Sequence, residues 1–401
     1  MKHSATLSEM KIDDQNRKFE IPEDVIYLNT AYMSPLLKDV AQEGKAAIDQ
    51  KSRPYTIVSN DFFEPVTQLK ELFAQLIGCD EAQRICMISS ASYGIATVVN
   101  NISLNKGDEI LVLEDQFPSN VYSWQRLAQD SGAELKIIAK PRSTRETGKV
   151  WNEKIIDSIT ERTAVVSMSH THWADGTLFD LKAIRQKTNK HNALLIIDGT
   201  QSIGAFPFSV SEIKPDALIC SGYKWLLGPY SSGLAYFGPY FDRGIPIEEN
   251  WANRLNSENF AGLTKYEEQY KPFANRYNVG EQANFIAVPM LISAIRQLLD
   301  WTPEAIQEYC KSISEDALEV LSSIDCVIES PEYRGHHLFG IKLPKTISLI
   351  RLQEEFKKRN IYVSVRGDYV RVSLHLFNTK QDIQSLVDAI LFVHRSEMIS
   401  R

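Results

Sequence analysis

An acidic and a basic side chain follow two short apolar runs in the middle of the sequence. Asp198 comes directly after residues 194–197, and Lys224 comes shortly after residues 217–220. Both runs give way at once to polar, glycine-rich sequence, as strands do where they end. In an open α/β sheet, ligands bind beyond the carboxyl ends of parallel strands, so neighbouring strands would turn the carboxylate and the amine toward one site. By spacing alone, the more frequent case is structural, with Asp198 opening a turn and Lys224 capping a helix.

The segments around this pair alternate between strand-like and helix-like patterns, which is typical of an α/β fold. Apolar residues recur at helical spacing between Val40 and Leu76, before the stop signal Gly78. The polar stretch 243–275 has no clear periodicity, and its length predicts a functional loop or a subunit contact. Strand-like runs occur at 110–113, 135–139 and 164–170, and residues 228–238 contain a further strand.

Composition indicates a soluble globular protein with one large and one small domain, because 401 residues exceed one ordinary core. Hydrophobic residues make up 43% and charged residues 24% of the chain. A net charge of -7 argues against nucleic acid or an anionic membrane surface as a partner, since both bind clustered positive charge. No apolar run approaches the roughly 20 residues of a membrane span, and the N-terminal sequence is polar, so we expect a cytoplasmic protein.

The cysteines and histidines give no sign of a disulfide framework or a metal site. The five cysteines are widely spread and form no CxxC pair. His170 with His172, and His336 with His337, leave a metal site open, but no carboxylate or thiolate stands at a recognisable ligand spacing. We therefore expect no bound metal.

The sequences DGTQSIG and SGYKWLLGP, around Asp198 and Lys224, together resemble the cofactor core of the class V aminotransferase-like enzymes. These enzymes use pyridoxal 5'-phosphate on the fold type I scaffold, and they include isopenicillin N epimerase-like proteins, cysteine desulfurases and kynureninases. The resemblance implies a large domain with a mostly parallel seven-stranded sheet flanked by helices, and a smaller α+β C-terminal domain. We expect an N-terminal segment at 1–24, the cofactor-binding domain at 25–275 and the small domain at 276–401.

The resemblance also assigns the cofactor-binding residues. Lys224 would form an imine with the cofactor aldehyde, Asp198 would pair with the pyridinium nitrogen, and Gln201 would contact the ring oxygen. A carboxylate beside the ring nitrogen keeps the ring protonated and makes a Cα carbanion accessible. A lysine both forms the imine and, once displaced, can move the Cα proton. The remaining cofactor-binding candidates are Ala91, Ser92, Phe117, Ser221 and Tyr223.

Two of these candidates also have a physical reason. The small-residue turn at 89–92 precedes a helix that we expect to begin near Tyr93, and a helix N-terminus favours a phosphate. Serine at a helix start is commonplace, however, because it caps the helix. Phe117 follows the strand-like run 110–113, where family members place an aromatic or a histidine against the cofactor ring. Without the resemblance, Phe117 reads as a core aromatic.

On the substrate side, the resemblance places Arg371 on the α-carboxylate, which a guanidinium can hold through two parallel hydrogen bonds. Arg366 is the competing candidate. Asn29 would lie at the end of an opening strand that reaches the active site, although an edge strand with a polar turn fits equally well. Trp173 stands where several members carry an asparagine, which favours a bulkier and more apolar wall, and Asp175 replaces the usual threonine.

These assignments favour a pyridoxal 5'-phosphate-dependent aminotransferase that acts at the Cα of an amino acid. An epimerase or racemase and a kynureninase-like lyase stay open, because all three reactions share the first Cα carbanion. Cysteine desulfurases of the family need a cysteine shortly before the substrate arginine, and 331–370 contains none, so we expect no desulfurase. The alternative of another class, a non-catalytic binding or regulatory relative, is disfavoured by the intact set of Asp198, Gln201 and Lys224.

Fold type I enzymes are typically homodimers, and the resemblance implies the same here. In that family, a loop that often reads Gly-Thr gives a hydroxyl to the phosphate bound by the other subunit. Here Gly280 is followed by Glu281, so the hydroxyl is missing. Either the loop is shifted, or Glu281 faces a cation such as Arg276.

Overall fold

The computed structural model describes residues 15–142 and 146–399. Residues 1–14 of the expected N-terminal segment lie outside these ranges. The helices are α1 (Lys38–Lys51), α2 (Glu64–Leu76), α3 (Ala91–Val99), α4 (Tyr122–Ser131), α5 (Thr147–Ser158), α6 (Leu181–Lys190), α7 (Val210–Ile213), α8 (Ala287–Trp301), α9 (Pro303–Ser322), α10 (Leu349–Lys358) and α11 (Lys380–Ile399). Among the helices so described, none is long and apolar enough to cross a membrane.

A seven-stranded sheet forms the centre of the molecule. In spatial order its strands run β2-β8-β7-β6-β5-β3-β4, and only β8 is antiparallel to its neighbours. The predicted mostly parallel sheet is therefore confirmed. After a short strand β1 (Ile26–Tyr27), the sheet strands are β2 (Ile85–Ile88), β3 (Glu109–Leu113), β4 (Glu134–Ile138), β5 (Thr163–Ser169), β6 (Leu194–Asp198), β7 (Ala217–Ser221) and β8 (Gly233–Phe237).

Helices cover both faces of this sheet, which is why its central strands are nearly continuous apolar runs. Alternate residues of one strand enter two different cores. Ile197 and Leu218 belong to the larger cluster, which continues into the C-terminal part of the chain. Ile196 and Ile219 belong to the smaller cluster under α3 and α4. Gly94 allows α3 to lie close to the sheet, since a Cβ there would be 2.7 Å from a methyl group of Ile219.

The helical pattern between Val40 and Leu76 is divided into α1 and α2 rather than forming one helix. Residues 52–63 between them contain short 3-10 turns. Pro54 stands at the start of one such turn, and Pro65 in the first turn of α2, where a missing N–H is tolerated. Helical periodicity persists across the break because both helices bury one face against α8.

The C-terminal part carries an antiparallel sheet of order β11-β12-β9, with helices packed on it. The short β1 does not join the large sheet but pairs in parallel with β10, and Asn29 continues this contact by bridging to Ser373. The N-terminal strand is therefore attached to strands of the C-terminal part, while the domain boundaries stay a prediction. The strands are β9 (Leu338–Lys342), β10 (Ile361–Tyr362), β11 (Ser364–Arg366) and β12 (Tyr369–Ser373).

Candidate active site

Asp198 is the last residue of β6, and β6 pairs in parallel with β7 as expected. Its carboxylate is buried, and Oδ1 accepts a hydrogen bond from the backbone N–H of Thr200 at 3.0 Å. Burial raises the pKa of Asp198 above its ordinary value, against the opposing influence of Thr200 and Lys224. An additional cation beside this carboxyl would favour its ionised form.

Lys224 lies in a turn shortly after β7. The N–H of Gly228 donates to the carbonyl of Gly222 at 2.9 Å and closes this turn. No helix follows within 222–232, so Lys224 does not cap one. Gly222 is required by close packing, because a Cβ there would lie 2.8 Å from the carbonyl oxygen of Ser232.

The amine of Lys224 is buried, with 6% of the residue exposed. Within the described ranges it has no hydrogen bond and no ion pair, and Nζ lies 5.5 Å from the ring centroids of both Phe117 and Tyr223. Burial lowers its pKa to about 8, and Arg371 and Arg366 act in the same direction while Asp198 opposes them. About a tenth of this amine is therefore neutral, and nucleophilic, at pH 7.

A cavity of about 310 Å³ opens beside Lys224. Phe117 meets Trp173 edge to face, with 5.5 Å between ring centroids, and the Trp173 indole N–H donates to the carbonyl of Asp115 at 2.6 Å. One wall of the cavity is thus aromatic and fixed. The lining residues are Ala31, Tyr32, Met33, Phe117, Trp173, Tyr223, Lys224, Tyr230, Arg366 and Arg371.

The phosphate candidates lie at the start of α3, which begins at Ala91, two residues before the expected position. Ser90 caps the helix by accepting from the N–H of Tyr93 at 3.1 Å, and its hydroxyl is 2.9 Å from that of Ser92. Ala91 and Ser92 therefore occupy the first turn, where backbone N–H groups have no partner inside the helix. This end of α3 and the end of β7 are close in space, because Gly94 packs on Ile219.

Of the candidates Gln201, Ser221 and Tyr223, only Tyr223 lines the cavity, and the other two contact residues near it. The Gln201 amide donates to the carbonyl of Ala31 at 3.1 Å and accepts from the indole of Trp225 at 3.0 Å. It thereby anchors the N-terminal loop, while its expected contact with a cofactor ring oxygen stays a prediction. The N–H of Ser221 donates to the hydroxyl of Thr200 at 3.2 Å. Tyr223 packs against Tyr230 with 4.6 Å between ring centroids.

Arg371 is 1% exposed and is held by neutral acceptors from two separate segments. It donates to the carbonyl of Trp173 at 2.7 Å and to the hydroxyl of Ser364 at 3.3 Å. That hydroxyl in turn donates to the side chain of Asn29 at 2.8 Å. Burial, and then the nearby Arg366, lower the pKa of Arg371 to about 9. Asn29 therefore supports Arg371 through Ser364 and does not line the cavity.

A buried charge network lies next to this arginine. Lys140 forms an ion pair with Asp175 and donates to the hydroxyl of Tyr369 at 3.2 Å. His172 Nδ1 is 3.2 Å from the other oxygen of Asp175. Although burial acts to raise it, His172 and Lys140 hold the pKa of Asp175 well below its usual value. The network joins the loop after β5 to β12, the strand that carries Arg371.

The other predicted contacts can be placed as well. The carbonyl of Gln201 lies 2.9 Å from a ring nitrogen of His337, and burial lowers the pKa of His170 to about 3. Among the described residues, no group of three histidine, cysteine or acidic side chains is arranged to hold a metal ion. Glu281 is exposed with φ at 57°, and Arg276 donates to the carbonyl of Gly244 instead of facing it.

Sequence reasoning missed two supporting residues. Thr200 orients the Asp198 carboxylate and receives the N–H of Ser221, and Ser364 links Arg371 to Asn29. The position of Thr200, two residues after a strand-terminal aspartate, is a signal for such a turn, because a short Asp side chain accepts from that N–H. No local signal marks Ser364, since its contacts join segments far apart in the sequence.

The residues present fit pyridoxal 5'-phosphate. A buried amine without a hydrogen-bond partner opens on a cavity, which suits a group that condenses with amines. A buried carboxyl with a raised pKa suits a protonated ring nitrogen. The first turn of α3 suits an anionic phosphate.

This sheet order and this site define a fold type I pyridoxal phosphate enzyme. Solved structures share the fold. An apo cysteine desulfurase from Thermococcus onnurineus has a TM-score of 0.80 at 17% identity, covering 96% of this chain and 98% of its own. The cystine C-S lyase C-DES, solved as a mutant with glycine covalently linked to its pyridoxal phosphate, has a TM-score of 0.83 at 18% identity and covers 94% and 98%.

The family model described as aminotransferase class-V matches residues 27–386, and the chain belongs to this family. The uncharacterized aminotransferase YcbU of Bacillus subtilis is 23% identical over 79% of this chain and 81% of its own length. A probable cysteine desulfurase of Borreliella burgdorferi is 26% identical over 76% and 69%. The predicted family, fold and cofactor are confirmed. The expectation that excludes a cysteine desulfurase finds no support in these comparisons.

Proposed function

We propose that this class V enzyme is an aminotransferase, which moves the amino group of one amino acid to a 2-oxo acid. The observation that carries the proposal is the shared cavity of Lys224 and Arg371. An amine whose pKa is lowered to about 8 and a guanidinium held by neutral acceptors line the same space. This pairing suits a substrate with an α-amino group and an α-carboxylate.

Each residue then has a defined task. When bound, pyridoxal 5'-phosphate supplies an aldehyde that condenses with amines and a ring that accepts the electrons of a broken Cα bond. Arg371 holds the α-carboxylate and fixes which Cα bond is broken. Lys224 removes the proton from Cα as a general base. Phe117 and Trp173 exclude water from the reacting atoms, and Asp198 accepts a hydrogen bond at the floor of the site.

Desulfuration is a competing reaction, because several relatives are named cysteine desulfurase. All five cysteines lie in the described part of the chain, and none is among the lining residues of the cavity. Cys86, Cys220, Cys310 and Cys326 are buried, and burial raises the pKa of each thiol. A thiol in that state is a poor nucleophile. The structure therefore favours transfer of the amino group over transfer of sulfur.

The test is a single-turnover assay of the purified holoenzyme with a panel of amino acids. Transamination releases one equivalent of the 2-oxo acid per active site, and a second 2-oxo acid restores the enzyme. Sulfide and alanine from cysteine would instead identify a desulfurase. Deuterium uptake at Cα without oxo acid would identify an epimerase, and side-chain cleavage a lyase. Any of these three results would contradict the proposal.

The assay needs a control that separates the site from the fold. Lys224→Ala should lower the rate of oxo acid release by about 10²- to 10⁴-fold, whereas Lys149→Ala, at an exposed lysine on α5, should leave it unchanged. A protein that stays colourless with added cofactor and converts no substrate would favour the non-catalytic alternative.

A homodimer and a cytoplasmic location belong to the same proposal. The irregular stretch 243–275 presents Trp251 and Phe260, which pack edge to face at 5.5 Å and are 41% and 40% exposed. Exposed aromatics of this kind are common in subunit interfaces. The five free cysteines suit a reducing compartment. Sedimentation analysis tests the dimer, and a monomer at micromolar concentration would contradict it.

A further inference from the structure

A second arginine shares the cavity with Arg371. In the β11–β12 hairpin, Ser364 pairs with Arg371 and Arg366 pairs with Tyr369. Because side chains alternate along a strand, Arg366 and Arg371 project from the same face of the hairpin as diagonal neighbours. Both line the cavity of about 310 Å³ beside Lys224.

Neither guanidinium has an acidic partner within the described ranges. Arg366 donates to the carbonyl of Val365 at 2.8 Å, and its guanidinium lies 5.5 Å from the ring centroid of Trp173. Arg371 is held by the Trp173 carbonyl and the Ser364 hydroxyl. The Nε atoms of both arginines are buried and lack any hydrogen-bond partner in the part of the chain that the structure describes. Each guanidinium thus keeps unused donors.

The charges of the cavity are unbalanced. Among the described residues, its lining contains Lys224, Arg366 and Arg371 and no aspartate or glutamate, while Asp198 lies outside the lining and acts on Lys224. The two arginines repel each other strongly enough that Arg366 contributes to lowering the pKa of Arg371. Holding like charges together in a partly dry space is unfavourable unless an anion joins them. One α-carboxylate on Arg371 leaves the second guanidinium without a counter-ion.

The two arginines also differ in depth. Arg371 is 1% exposed and fixed below the Trp173 loop, whereas Arg366 is partly exposed and lies against the indole ring. A single carboxylate held by Arg371 would therefore leave Arg366 nearer the mouth. In a ligand with two carboxylates, an apolar spacer between them would lie along the aromatic wall formed by Phe117 and Trp173. It would connect the carboxylate at Arg371 to the one at Arg366.

We propose that the substrate is an amino dicarboxylate, whose α-carboxylate binds Arg371 and whose side-chain carboxylate binds Arg366. This inference rests on the proposed function, since it assumes that an amino acid reacts at Lys224. Arg366 is then the residue that determines specificity for the acidic side chain. Amino acids such as aspartate, glutamate and 2-aminoadipate belong to this class, and they differ in the length of the spacer.

The test compares acids with neutral amino acids of equal size in single turnovers of the holoenzyme. The pairs are glutamate with glutamine, and aspartate with asparagine. At least one acid should exceed its amide by roughly 10- to 100-fold in kcat/KM, the range of one charge-assisted hydrogen-bonded pair. Arg366→Gln should remove most of this preference, so that kcat/KM falls roughly tenfold more for the acid than for norvaline. Arg395→Gln, at an exposed arginine on α11, is the matched control and should change neither.

A binding measurement separates the inference from the proposed function. Isothermal titration of the holoenzyme with glutarate and with butyrate should show tighter binding of the diacid, and Arg366→Gln should abolish the difference. If no amino acid reacts but glutarate still binds through Arg366, the proposed aminotransferase function is wrong. The inference that Arg366 binds a carboxylate is then retained. If Arg366→Gln weakens glutamate and norvaline equally, both arginines serve one carboxylate and the inference is overturned. Equal turnover of acids and amides would overturn it as well.

Discussion

The two sides of the cavity are built in different ways. Asp198 and Lys224 extend from β6 and β7, which are neighbours in one sheet and close together in the sequence. Arg371 instead depends on the Trp173 loop and on Ser364, which in turn contacts Asn29. The cofactor side is therefore fixed by the geometry of two strands, whereas the substrate side is assembled from distant segments.

The supporting charges differ in the same way. The amine of Lys224 has no ion pair with any residue that the structure describes, which keeps it reactive. Near Arg371, the ion pair of Asp175 with Lys140 and its contact with His172 are buried and structural. Gly176 brings this loop onto β9, because it has φ at 79° and a Cβ there would be 2.3 Å from the carbonyl oxygen of Leu338. Substitutions should thus act on chemistry at one side and on assembly at the other.

The largest effect is expected at the cofactor side. Lys224→Ala should lower the single-turnover rate by about 10²- to 10⁴-fold, the range for loss of a general base. The melting temperature should not fall, because the variant loses a buried amine that has no ion pair. Kinetics and thermal unfolding together check this. Activity within tenfold of the wild type would place the base elsewhere.

At the substrate side, Arg371→Ala should lower kcat/KM by about 2–4 kcal/mol, or roughly 30- to 1000-fold, as expected for a desolvated charge-assisted pair. Arg371→Lys keeps the charge but not the two-pronged geometry, so it should recover only part of the loss. Cofactor absorbance should be unchanged in both variants. An unaffected kcat/KM would indicate that Arg366, and not Arg371, binds the α-carboxylate.

The assembly of the substrate side is tested by Asp175→Asn. Removing one partner of a buried ion pair should lower the free energy of unfolding by about 3–5 kcal/mol, because Lys140 is left buried. The double variant Asp175→Asn with Lys140→Met should recover much of the lost free energy of unfolding. Urea unfolding measures both, and a double variant no better than the single one would argue against the ion pair.

The ion pair of Asp175 with Lys140 also predicts how the free energy of unfolding changes with pH. The native pKa of Asp175 lies below its unfolded value of about 3.9, so the stabilisation is complete above that pH and is lost as the pH falls further. The difference between wild type and Asp175→Asn should therefore be constant from about pH 6 to 8 and shrink below about pH 4.

The smallest effect concerns the amine of the apoenzyme. Because its pKa is lowered to about 8, the rate of cofactor capture should rise with pH and level off with a midpoint near that value. An ordinary lysine would give a midpoint about 10.4. Arg366→Gln should move the midpoint upward, since one repelling charge is removed. Stopped-flow absorbance measures the profile, and a midpoint near 10 would contradict the burial of this amine.

Sequence reasoning was most successful where the signal is local. The apolar runs before Asp198 and Lys224 predicted two strands, and their pairing in parallel is confirmed. Sequence reasoning was less successful where two helical patterns follow one another without a visible break. The periodicity between Val40 and Leu76 continues across the break between α1 and α2, so only the structure divided it.

The sequence by itself determined the α/β fold, the family and the order of the site residues along the chain, because strand length, apolar pattern and motif are properties of adjacent residues. Only the tertiary structure decided that Gln201 anchors the loop at Ala31, that Asn29 supports Arg371 through Ser364, and that Arg366 shares its cavity. These contacts depend on side-chain direction and on the approach of distant segments. Neither is encoded in the spacing of neighbouring residues.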